Sequence, residues 1–350
     1  MELKFDITTR RFIPDFYVIG GHGCGRLSFS YYLNWMGAPV FPEGNLFPTL
    51  ENISIPVLKN PVTYAFGLTI DQISGHFGPI NTEPVTTRAL WLVRDPIQIM
   101  VSLFNYFLGD AVFGRGNALT LGKEPILPFL SKHISVCNLF DTLKRSINTT
   151  ATPLVIETPE LLPDACAGTL KKIAAYLDIP YTESVAEIAS IPFNTYDNRL
   201  WSRQPAKSYP ISAFYYVSPL YVAPDKLFDF WFNQWRPAHT LFRFTYKGRQ
   251  FTAGMPQERY EKVLPSIPGN FFNEEKIEAT KTYIDVWEEH CALTRKLYKR
   301  YSITPEDAVE AIRKNPRFRS RYLRFMDNEL KEFSVNYPGI VSKWKYFNSI

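Results

Sequence analysis

Gly20-Gly21-His22-Gly23-Cys24-Gly25-Arg26-Leu27-Ser28 lies between a short apolar run and a segment of helical periodicity. Glycines spaced in this way let backbone N–H groups converge on an anion, and the start of the following helix adds its positive end. The segment therefore reads as a phosphate cradle. Its GxxxxGR spacing approaches the triphosphatase loop GxxxxGK[ST], but Arg26 stands in place of the lysine and Leu27 in place of the magnesium-binding hydroxyl. Triphosphatase chemistry is disfavoured on that ground. Arg94 and Ser102, eight residues apart, form a second anion-binding pair. A guanidinium fork and a hydroxyl donor together suit a phosphate monoester.

The elements that must position these groups follow from the apolar patterning. Phe16-Tyr17-Val18-Ile19 ends in Gly20-Gly21, and Leu27 to Met36 is apolar at helical spacing, which predicts strand, loop and helix. Val57-Leu58 begins a second pattern, closed by Lys59-Asn60-Pro61. Ala89 to Val93 is continuously apolar, as expected of a strand buried on both faces of a parallel sheet. Asp95 caps a helix that starts at Pro96 and runs to about Leu108, which puts Ser102 on that helix. Pro153 to Glu157 gives a fourth strand, Thr158-Pro159-Glu160 repeats the cap-then-proline start, and Thr169 to Leu177 is amphipathic. Strands alternating with helices imply an α/β domain over residues 1–215, a doubly wound parallel sheet carrying a P-loop-like phosphate cradle. Past about Tyr215 the chain becomes rich in proline and aromatic residues, then shows helical patterns at about 273–301 and 305–335. Residues 216–350 are expected to form a mostly helical C-terminal region.

Composition narrows the chemistry. The 350 residues are 45% hydrophobic and 21% charged with a net charge of +5, ordinary globular values, and no stretch resembles a polybasic tail. That balance suits an anionic small-molecule donor better than a nucleic acid. Cys24, Cys137, Cys166 and Cys291 are scattered, without a CxxC pair, which indicates a reducing compartment and no sulfur-rich metal site. The five histidines are spaced too irregularly for a metal centre. No signal-peptide pattern opens the chain and every apolar run is interrupted before membrane-spanning length, so a cytoplasmic protein is expected.

With Arg94-Asp95-Pro96 and Ser102 the chain resembles the sulfotransferases that use 3′-phosphoadenosine 5′-phosphosulfate. In that family a strand ends in Arg-(Asp/Asn)-Pro, and a serine eight residues on joins the arginine on the donor's 3′-phosphate. Leu154 to Leu162, then Thr169 to Pro180, looks like the family's "YEDL … TL..I..FLGIP" stretch, with Ile156 in place of the tyrosine. Lys59-Asn60-Pro61 is similar to the Lys-Asp-Pro of tyrosylprotein sulfotransferases, and Glu43 falls where those enzymes carry a base. The resemblance covers about residues 16–210. It implies sulfuryl transfer to a hydroxyl, a carbohydrate being the largest acceptor class, with no metal required. Gly21, Gly23, Cys24, Gly25, Arg26, Leu27 and Ser28 would hold the donor with Arg94 and Ser102, and a final donor loop would use Arg203 and Lys207, near Arg199 and Ser208.

For the chemistry the resemblance points to Lys59 as the cation on the leaving oxygen and Glu43 as general base, with His22 as a rival base or donor ligand and His76 a further loop histidine. The cradle departs from the family, whose loop usually reads Lys- or Arg-Ser-Gly-Thr-Thr where this chain has Gly23 to Leu27. Two alternatives stay open: a kinase-like enzyme needing magnesium, and a non-catalytic assembly protein that kept the fold. In the latter case 216–350 would serve oligomerisation or assembly.

Overall fold

A computed structural model describes residues 5–6, 11–12, 14–21, 23–42, 64–65, 67–70, 87–112, 126–137, 139–147, 149–191, 195–201, 221–233, 238–263 and 273–350. The fold is mixed α/β with a helical C-terminal region. Five strands, β1 (Phe16–Ile19), β2 (Val40–Pro42), β3 (Gly67–Ile70), β4 (Arg88–Val93) and β5 (Leu154–Glu157), form a parallel sheet in the order β2-β3-β1-β4-β5. All of β1 and the last five residues of β4 are buried, as their continuous apolar sequences require. β2 and β3 were not anticipated, while the Val57-Leu58 pattern and Lys59-Asn60-Pro61 lie outside the described residues.

The order makes β1 the central strand, with β2 and β3 on one side of it and β4 and β5 on the other. Chain direction across the sheet thus reverses at β1, and ligands of open α/β sheets bind beyond the strand carboxyl ends at such a point. Register sets what meets there. Ile19 pairs with Trp91 and Val93 with Glu157, so the next residues out are the glycine loop, Arg94 and Thr158.

Helices follow β1, β4 and β5 among the described residues: α1 (Arg26–Trp35) after β1, then α2 (Pro96–Val112), α3 (Ile126–Cys137) and α4 (Asp141–Ser146) after β4, and α5 (Pro163–Leu177) and α6 (Glu183–Ala189) after β5. The Oδ1 atom of Asp95 accepts the Ile97 N–H at 2.9 Å, the cap expected from sequence. The anticipated cap at Thr158 does not form. Thr158–Leu161 is a short 3-10 turn capped by Glu157, and α5 starts only at Pro163.

Contacts divide the chain at Ile191 and Tyr301, not at the composition change near Tyr215: Met1–Ile53, Leu58–Ile191 and Tyr301–Ile350 form one unit, Ser54–Val57 and Pro192–Arg300 the other. The second unit contains more strand than its sequence suggested. After α7 (Tyr196–Leu200), the strands β6 (Tyr221–Pro224), β7 (Ala238–Tyr246) and β8 (Arg249–Pro256) form an antiparallel sheet in the order β6-β8-β7, with α8 (Asp225–Asn233), α9 (Gln257–Val263) and α10 (Glu274–Tyr301). Lys247-Gly248, both at positive φ, turn the β7–β8 hairpin. Lys247 Nζ ties that turn to α10 through Asp285 at 2.7 Å and Glu288 at 3.1 Å.

The C-terminal pattern is one helix in expectation and several in fact. It divides into α11 (Pro305–Arg313), α12 (Pro316–Glu329), α13 (Lys331–Asn336) and α14 (Pro338–Val341), with proline opening α12 and α14 and a break at Leu330 between α12 and α13. These helices close the first unit. Phe333 meets Trp91 of β4 edge-on at 4.9 Å and stacks on Trp344 at 5.6 Å. Asn105 of α2 exchanges two hydrogen bonds with the backbone of Ile303. Buried Asp141 accepts the Glu332 and Phe333 N–H groups at 2.6 and 3.1 Å. Buried Glu329 accepts the Phe140 and Thr142 N–H groups at 3.1 and 3.2 Å and the Thr142 hydroxyl at 2.6 Å.

Removing the Glu329 carboxylate strands buried donors, whereas the Glu332 carboxylate pairs with half-buried Lys144 and exposed Arg145. Glu329→Ala should therefore lower the unfolding free energy by about 2–4 kcal/mol, and Glu332→Ala by less than about 1 kcal/mol. Denaturant titration followed by circular dichroism reads both. Equal losses would show that apolar packing alone holds these helices.

Candidate functional site: the carboxyl edge of the parallel sheet

The site is built where β1, β4 and β5 end. Gly20 leaves β1 so close to β4 that a Cβ on it would stand 3.0 Å from that of Leu92. The loop then turns through Gly23 (φ 90°) and Gly25 (φ 81°), a region that favours glycine. A Cβ on Gly23 would lie 2.9 Å from the Ile99 carbonyl oxygen and 3.3 Å from the Ser102 Cβ. The loop backbone thus rests directly on α2, on the face that carries Ser102.

Arg94 fixes the loop from the β4 side. Its Nη1 donates to the Gly23 carbonyl at 2.8 Å and its Nε to Gln98 Oε1 at 3.3 Å. Gln98 lies one turn along α2 and was not singled out from the sequence, although an i to i+4 pair at a helix start is a readable signal. Neither Arg94 Nη2 nor the Ser102 hydroxyl makes a hydrogen bond among the described residues. Both belong to part-buried residues beside the loop. The geometry brings Arg94, Ser102 and Gly23 together.

The opposite wall was not foreseen. Thr158 donates its hydroxyl to the Cys24 carbonyl at 3.0 Å and lies 3.2 Å from the Val93 carbonyl, while its methyl would face a Cβ on Gly25 at 3.5 Å. Sequence reading made Thr158 a helix cap. In the fold it is instead the threonine beside Arg94 in register, and it ties the loop to β4.

Cys24 is buried in the loop, and burial pushes its thiol up to about 11 against the opposing pull of Arg94 and Arg26. It is a neutral loop residue, not a thiolate nucleophile. Burial lowers the Arg94 guanidinium below its usual range, partly offset by Asp95. Buried Asp95 is itself raised by desolvation, against backbone donors from Tyr346, Ile97 and Phe347. Its Oδ2 accepts the Tyr346 and Phe347 N–H groups at 2.9 and 3.3 Å, so the carboxylate that starts α2 also binds the C-terminal segment.

Of the other expected residues, Gly21 lies in the loop, its carbonyl accepting the Cys24 N–H at 3.3 Å, and Arg26, Leu27 and Ser28 form the first turn of α1. That turn carries no acid, and Gly25 offers no side-chain cap. Glu43, Lys59, His22, His76, Arg203, Lys207 and Ser208 lie outside the described residues. Arg199 is on α7, in the other unit. Among the described residues no cluster of histidine, cysteine or carboxylate has the arrangement of a metal site.

Gly23→Ala forces a Cβ against the Ile99 carbonyl at positive φ, whereas a Cβ on Gly168, inside α5, meets nothing within 4 Å. The first substitution should destabilise by about 1–3 kcal/mol, and Gly168→Ala should stabilise by about 0.5–1 kcal/mol. Thermal unfolding of the pair checks both signs; a tolerated Gly23→Ala would mean that the loop relaxes freely off α2.

No family model, curated protein or solved structure matches the chain.

Proposed function

We propose that the chain is a sulfotransferase that moves a sulfuryl group from 3′-phosphoadenosine 5′-phosphosulfate to an acceptor hydroxyl, with carbohydrate the acceptor class it fits best. The observation that carries this reading is the junction of Arg94, Ser102 and the glycine loop at the reversal point of the sheet. A loop whose glycines admit no side chain supplies backbone donors for one phosphate, and an arginine and a serine with unused donor capacity supply a second anion site a fixed distance away. Two separate anion sites suit a nucleotide phosphorylated at both 3′ and 5′ positions better than a linear triphosphate. On this reading the parallel sheet is a doubly wound, P-loop-like core.

The reaction is an in-line displacement at sulfur. The bond between sulfur and the 5′-phosphate oxygen breaks, a bond from sulfur to the acceptor oxygen forms, and the acceptor proton leaves to a base. Adenosine 3′,5′-bisphosphate departs with both bonding electrons on its phosphate oxygen. Positioning and charge stabilisation are the protein's main contributions. Arg94 and Ser102 would hold the 3′-phosphate, and the glycine loop and the start of α1 the 5′-phosphate. Lys59 as the cation on the leaving oxygen, Glu43 as base, and His22 as its rival complete the proposal, with Arg203 and Lys207 as further donor-binding residues.

Adenosine 3′,5′-bisphosphate should raise the melting temperature well above the shift given by ADP, because ligand binding to the native state stabilises by mass action. Equal shifts would remove the 3′-phosphate site. Arg94→Ala should weaken bisphosphate binding by about 2–4 kcal/mol, and Arg94→Lys should restore only part. With an acceptor in hand, Glu43→Gln should keep bisphosphate affinity within a few-fold and lower turnover by about 10²–10⁴. Tight bisphosphate binding without turnover on any hydroxyl acceptor would favour the non-catalytic alternative.

A further inference from the structure

Helix α12 carries charges that its own stability does not ask for. Cations are disfavoured at the positive end of a helix and acids favoured there. α11 follows that rule, with Glu306 and Asp307 in its first turn and Arg313 in its last. α12 inverts it: the first turn holds Arg317 and no acid, Arg319 follows directly, and the last turn holds no base. Its buried residues Phe318, Tyr322, Met326 and Glu329 define the inward face. Helical spacing puts Arg317, Arg321 and Arg324 together on one outward side, all exposed, with Asp327 as the one acid near them, and Lys331 opens α13 after the break at Leu330.

These cations also lack carboxylate partners. Elsewhere in the same unit Lys144, Lys172, Lys314, Lys343 and Lys345 each have a carboxylate at 2.5–3.8 Å. Among the described residues, Arg317, Arg321, Arg324 and Lys331 have none. Arg321 instead reaches the Ser131 hydroxyl of α3, beside exposed Lys132, which extends the positive face. Next to Lys331, one turn along α13, stands Val335, 77% exposed and the most exposed of the large apolar side chains described.

We infer that this face of α12 and α13 is a docking surface for an anionic lipid bilayer. A row of cations meets the phosphate plane, and Val335 at its end enters the acyl boundary just beneath. Duplex nucleic acid offers phosphates but nothing apolar for Val335. A single strand calls for exposed aromatic platforms, and on α12 Phe318 and Tyr322 are buried and Phe325 is half-buried. The inference is independent of the donor site.

Flotation of the full chain with vesicles of phosphatidylcholine, with and without about one third phosphatidylglycerol, tests it at low and high salt. Binding is expected only to the anionic vesicles and should fall steeply with salt. The triple variant Arg317→Gln, Arg321→Gln, Arg324→Gln should weaken partition on the order of 100-fold, with an unchanged or higher melting temperature and an unchanged nucleotide shift. Val335→Ser should weaken it several-fold. Equal binding to neutral vesicles, no binding to anionic ones, or binding that survives the triple variant would each overturn the inference. So would tighter binding of a 20-base-pair duplex that the triple variant abolishes, which would assign the face to nucleic acid.

Discussion

A parallel strand that stops leaves its last carbonyls without ladder partners, and a buried carbonyl must find a donor. The carboxyl edge of this sheet is arranged around that requirement. Val93, Gly23 and Cys24 present carbonyl oxygens within a small space; Arg94 serves Gly23, and the Thr158 hydroxyl serves Cys24 while also approaching Val93. Each donor comes from a different strand end, and the register of β1, β4 and β5 brings them level. With its carbonyls held from both flanks, the loop is fixed against the ends of β4 and β5. A loop that merely had to turn would not need both clamps.

Local features of the site were legible in the sequence, and distant ones were not. Arg94, Asp95, Pro96 and Ser102 fall within nine residues, so a strand end, a cap and a helix turn fix their relation without help from the rest of the chain. The glycines likewise declare a backbone that excludes side chains, and Gly23 shows the reason in its approach to Ile99. Thr158 was misread because a threonine before a proline is also a helix start, and only the register beside Val93 selects between the two roles. Asp141, Glu329 and the long-range bond from Asp95 to Tyr346 were opaque for a different reason: their partners are mainly backbone N–H groups, which every residue but proline owns. An acceptor side chain names no partner in sequence when the donor is generic.

The same reasoning explains the second unit. Its aromatic, proline-rich composition was compatible with several arrangements, and the antiparallel sheet became visible only with the Lys247-Gly248 turn and the pairing of β7 with β8. Helical periodicity from 305 to 335 was real, but its phase restarts at Asn315-Pro316, where the Asn315 side chain caps a new helix by accepting the Phe318 N–H at 2.9 Å. Period alone does not reveal a break that keeps the apolar face pointing inward.

Asp95 joins the start of α2 to Tyr346, 251 residues later, and the second unit is inserted between the two parts of the first. During synthesis at about 5–20 residues per second, the carboxylate therefore waits roughly 10–50 seconds for its backbone partners. Within that interval the whole inserted unit is synthesised, while Trp91 and Asp141 still lack the segment that covers them. The nascent chain thus carries an open aromatic face beside an unpaired acid, and it is in this window that a chaperone would find the most to hold.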